Sequence, residues 1–65
     1  MMNVEQVVRK AISFANSSGY PWVRVVSVRK VKNRWVVKID VGVINPDYRT
    51  IRIDAKSGEV VGFEK

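Results

Sequence analysis

The chain has 65 residues, 46% of them hydrophobic, and twelve Lys and Arg against six Asp and Glu give it a net charge of +6. That length allows one domain, and the lack of cysteine and histidine excludes disulfides, thiolate or imidazole zinc sites and histidine-based catalysis. A domain this small hides only about 60% of the surface that its unfolded chain exposes, so packing, charge pairing or a second copy must stabilise it.

Residues Asn3 to Gly19 predict one amphipathic helix. Val4, Val7, Val8, Ala11, Ile12 and Ala15 recur at helical spacing as a single apolar stripe. Asn3 and Gln6 have the spacing of a capping box, Gly19 supplies a left-handed terminus, and Pro21 prevents continuation. Trp22 to Val31 follows as the first strand. Val23 and Val25 are in one phase and Val26 and Val28 in the other, which predicts a β-bulge near Val25-Val26.

After a Lys32-Asn33 turn, Arg34 to Ile44 reads as the second strand. Trp35, Val37, Ile39, Val41 and Val43 line one face; Val36, Lys38, Asp40 and Gly42 line the other. Gly42 marks a bend or bulge, and Asn45-Pro46-Asp47 makes the next turn. The third strand is Tyr48 to Ala55, with Ile51, Ile53 and Ala55 opposite Tyr48, Thr50, Arg52 and Asp54. A Ser57-Gly58 turn leads to a short fourth strand, Val60 to Phe63. Short connections make neighbouring strands antiparallel. The expected fold is α+β: one helix packed on a three- or four-stranded antiparallel meander, its stripe covering the Trp35, Val37, Ile39, Ile51 and Ile53 face. Trp22 is expected to plug one end of the core, and Phe14 and Phe63 to extend it.

No motif here defines a reaction. Ser57 beside Lys56 sits in an exposed turn where nothing would desolvate the lysine, and the glycines are isolated. No cofactor or metal is therefore expected, and the protein is not expected to be an enzyme. Asp40 and Asp54 are expected near each other on the face away from the helix, engaged in cross-strand ion pairs with Lys38 and Arg52.

Positive charge is the remaining signal. Arg24, Arg29, Lys30, Lys32, Arg34, Lys38 and Arg52 are candidate polyanion contacts, with Tyr48 as an exposed aromatic beside them. Asp40 and Asp54 on the same face would repel phosphate, so the sequence favours a solvated face of mixed charge over a nucleic-acid surface. The first residues show no basic segment followed by an apolar one, and no apolar run reaches the roughly 20 residues of a membrane span. No membrane insertion and a cytoplasmic location are expected.

Three pieces of the chain resemble the PepSY domain family: Val7 to Ala15, Arg34-Trp35-Val36-Val37-Lys38-Ile39, and Ile53-Asp54-Ala55-Lys56-Ser57-Gly58-Glu59-Val60. The resemblance spans nearly the whole chain as a single domain, residues 1–65. It implies a leading helix on an antiparallel sheet and a small binding or regulatory role, since peptidase inhibition or regulation has been proposed for such modules. This chain is expected to depart from that setting, with a basic surface and no attached peptidase. The leading functional expectation is a protein- or peptide-binding module, docking at an exposed strand edge or pairing there as a homodimer. The alternative is a basic, sequence-nonspecific nucleic-acid-binding protein.

Overall fold

The computed structural model describes residues 2–65. Helix α1 spans Val4–Ser17 and is followed by strands β1 (Arg24–Val31), β2 (Arg34–Asp40), β3 (Tyr48–Asp54) and β4 (Val60–Glu64). The strands form one antiparallel sheet in the order β1-β2-β3-β4, and α1 covers one of its faces. The expected α+β meander is the observed fold, with four strands. None of the described helices is long and apolar enough to cross a membrane.

The capping box forms as its spacing predicts. The Gln6 amide donates to Asn3 Oδ1 at 2.8 Å and the Asn3 amide donates to Gln6 Oε1 at 2.9 Å, so two otherwise orphaned donors are satisfied. At the other end Gly19 takes φ of +99°, and the Tyr20 amide closes back on the Ala15 carbonyl at 3.1 Å. The stripe is buried through Val7, Ala11 and Ala15, whereas Val4 falls outside the contact and is exposed. These residues meet Val37, Ile39, Val41, Ile51 and Ile53, and the largest fully buried side chains are Ile39, Ile51 and Ile53. Trp35 is only half-buried at the margin, so isoleucines rather than the tryptophan occupy the centre.

An edge-to-face trio closes one end of the core. Phe63 packs against Phe14 at 5.3 Å and against Tyr20 at 6.0 Å between ring centroids. Phe14 and Phe63 thus extend the core as expected. Trp22 does not plug it: its side chain is 64% exposed, and Tyr20 fills that role.

The predicted bulge is present, with a register shift between Val25 and Ser27 that leaves Val26 unpaired. A second shift lies on β4, where Gly62 pairs with Arg52 but Val60 pairs with Ile53. The second strand is shorter than its alternation suggests. It ends at Asp40, and loop 41–47 leaves the sheet with Val43 72% and Ile44 92% exposed. Only Val41 of that stretch stays in the core. Gly42 fits because a side chain there would collide with the Asn45 carbonyl oxygen.

Candidate functional site

The pairing register sorts every strand residue onto one of two faces. Val28 opposite Val37, Ile39 opposite Val25, and Ile51 opposite Phe63 belong to the helix side. The open side carries cross-strand rows two residues apart. One row runs Arg29, Val36, Arg52, Gly62; the next runs Ser27, Lys38, Thr50, Glu64; a third runs Arg24, Asp40, Tyr48. The bulge at Val26 brings both Arg24 and Arg29 onto this side, because it restores the phase between them.

At the β1-β2 turn end of the open face, Arg29, Lys32, Arg34 and Arg52 surround a shallow groove of about 700 Å³. Val31 and Val36 contribute apolar surface to it, and Asn33 and Asp54 complete its wall. The first four are among the residues that the charge pattern singles out. Lys38 lies in the neighbouring row with its ammonium over the Tyr48 ring, 4.8 Å from the centroid, and Tyr48 is exposed as expected. Arg24 is engaged in an ion pair with Asp40 at 2.9 Å. Lys30 departs from the group: it pairs with Trp35 on the helix side and holds its ammonium 5.7 Å from that ring. It cannot share a ligand with the groove.

Asp40 and Asp54 are not neighbours. Asp40 pairs in register with Tyr48 and Asp54 with Arg34, which puts them at opposite ends of β2 and β3, on the order of 20 Å apart. Neither pairs with Lys38 or Arg52. Asp40 is buried under loop 41–47, where one carboxylate oxygen accepts the Gly42 amide at 2.9 Å and the Asp47 amide at 3.0 Å. Those backbone donors, the Asp47 amide foremost, hold its pKa below the ordinary carboxylate value; burial opposes them and Arg24 assists. Asp54 Oδ1 likewise accepts the Lys56 and Ser57 amides, at 2.7 and 3.2 Å, and these lower its pKa. Both aspartates act as anchors for the loops that follow them.

Both aspartates therefore stay ionised, Asp40 paired with Arg24 at the far end of the sheet and Asp54 as the one carboxylate in the wall of the basic groove. Glu64 pairs with Arg52, while among the described residues Arg29, Lys32, Arg34 and Lys38 make no ion pair. Lys32 also stands in a backbone conformation that a lysine rarely adopts, with φ of +57° at the hairpin turn. Glycine or asparagine is the usual occupant of such a position.

Two features escape the sequence reading. Arg49 clasps Asp47 by donating from Nε and Nη2, each at 3.1 Å, and lies 5.7 Å from the Tyr20 ring; only the Asp-x-Arg spacing at the strand start signals it. Trp22, Val43, Ile44 and Pro46 line a notch of about 450 Å³ at the opposite end from the basic groove. No signal separates that notch from a continuing strand. Among the described residues no group of three potential ligands could hold a metal. Comparison with family models, curated proteins and solved structures finds no match for this chain.

Proposed function

We propose that the open face of the sheet is a polyanion-binding surface and that the protein is a non-catalytic, sequence-nonspecific nucleic-acid-binding module. The observation that carries this reading is the convergence of Arg29, Lys32, Arg34 and Arg52 on one groove, where these cations outnumber the single carboxylate of Asp54. Guanidinium groups suit phosphate because they are planar, permanently charged and able to donate two parallel hydrogen bonds. The net charge of +6 adds long-range attraction. The cytoplasmic setting expected from the sequence belongs with this reading, since nucleic acid is abundant there.

Titration into labelled oligonucleotides at about 50 and 200 mM salt tests the proposal. About four phosphate contacts should cost on the order of 10²-fold in affinity across that range, because each contact releases a counterion. No binding at the lower salt would contradict the reading and return the charge to a role in solubility.

A second reading has its own support. β1 is an edge strand of eight residues, and among the described residues no strand pairs with its outer edge, which can add a strand from a peptide, from another protein or from a second copy. The PepSY-like resemblance, with the regulatory role it implies, belongs here. Size-exclusion chromatography with light scattering tests the homodimer, and a monomer at high concentration would contradict it.

A further inference from the structure

We infer that the open face is built for single-stranded rather than double-stranded nucleic acid. The inference rests on the polyanion-binding reading of the same face and adds the strand class of the ligand. Charge alone does not distinguish the two, since both present a line of phosphates. The apolar surface between the charges does distinguish them. Val31, which is half exposed, and Val36 contribute to the groove between Arg29, Arg34 and Arg52. Four residues along β3 from Arg52, roughly 13 Å away, the exposed Tyr48 ring continues the same face under the Lys38 ammonium.

A duplex keeps the faces of its bases inside its own stack and would offer nothing to these surfaces. It would dehydrate the valines and the ring against sugar and phosphate. A single strand can splay its bases onto the valines, the guanidinium planes and the tyrosine ring, leaving its phosphates to the basic groups beside them. Lys38 is exposed, so its ammonium can leave the ring for a phosphate as a base takes its place. The stretch from the groove to Tyr48 suits a short site, within the range of about 4–16 nucleotides found for single-strand modules. Either DNA or RNA satisfies this chemistry.

The test is fluorescence anisotropy of labelled oligothymidine, oligouridine and a mixed-sequence duplex, each of about 15 units, at about 50 mM salt. At least one single strand should bind about tenfold more tightly than the duplex, and the tighter of the two identifies DNA or RNA as the preferred form. Tyr48→Ala should weaken single-strand binding by about tenfold with little effect on the duplex, and Tyr48→Phe should keep most of the affinity. Val31→Thr, an isosteric change at an exposed position, should weaken single-strand binding several-fold without depending on Tyr48 or on how its replacement folds. A duplex bound as tightly as the single strands would overturn the inference while leaving the polyanion reading in place. So would single-strand affinity that neither Tyr48→Ala nor Val31→Thr lowers. Failure of all three oligonucleotides to bind would instead overturn the polyanion reading itself.

Discussion

The two faces of the sheet are made by the same strands and do opposite work. On the helix side Val37, Ile39, Ile51 and Ile53 are fully buried and hold the domain together. On the open side Arg29, Arg34, Val36, Lys38 and Arg52 alternate with them and bear almost none of that load. The lesson is one of separable roles. In a domain this small the core occupies one face entirely, so the other face is free to be charged.

Adjacent residues of β3 provide the sharpest way to break this comparison. Ile51→Ala should cost about 2–5 kcal/mol, a large part of the stability of a small domain, read as a fall in the urea midpoint. Its neighbour Arg52 is half-buried on the open face, and among the described residues its one ion pair is with the exposed Glu64. Arg52→Ala should change stability by less than about 1 kcal/mol while weakening oligonucleotide binding and flattening its salt dependence. Comparable destabilisation by the two changes would mean that the open face is structural after all.

Asp40 tests the anchoring of loop 41–47. Its folded-state pKa is depressed, so the stability it provides is fully present above the ordinary value near 3.8 and is lost as pH falls through the lower folded value. Asp40→Asn should lower the melting temperature at neutral pH and make the variant less sensitive than the parent to acidification below about pH 4. Parallel acid limbs for the two proteins would contradict the role assigned to the backbone amides of Gly42 and Asp47.

The smallest expected effect is on Lys32. Lys32→Gly should stabilise the hairpin by up to about 1 kcal/mol, since glycine adopts positive φ without a Cβ penalty, and it should weaken polyanion binding at the same time. A thermal melt and one anisotropy titration check both halves. A variant that is less stable would show that the lysine is held there for packing.

How far these features can be read from sequence depends on the range of the interactions that set them. The helix, its capping box and the bulge at Val26 are local, and periodicity with residue chemistry exposes them directly. The end of β2 is not local. Val41-Gly42-Val43 continues the alternation of the strand, and only contacts of the folded chain, such as the Gly42 and Asp47 amides on Asp40, show that the chain has already turned away. The same loop sets the β2-β3 register, and register decides that Asp40 faces Tyr48 rather than lying near Asp54. Of the candidate cations, Arg29, Lys32, Arg34 and Arg52 do converge. Lys30 was legible as a charge but not as a face, because the one-residue bulge upstream decides which arginines share its side. The partners of the aspartates are not legible either, since nothing in the sequence marks a carboxylate that will accept backbone amides from the loop that follows it.

The most direct measurement of the central claim is methyl-resolved NMR of the protein titrated with a short oligonucleotide, comparing valine and isoleucine signals on the two sides of the sheet. A ligand on the open face should shift Val31 and Val36 strongly and leave Val8 and Ile12 of the helix and Ile53 of the core in place. Strongest shifts at Val43 and Ile44, or on the helix, would put the ligand elsewhere and contradict the assignment of the open face as the binding surface.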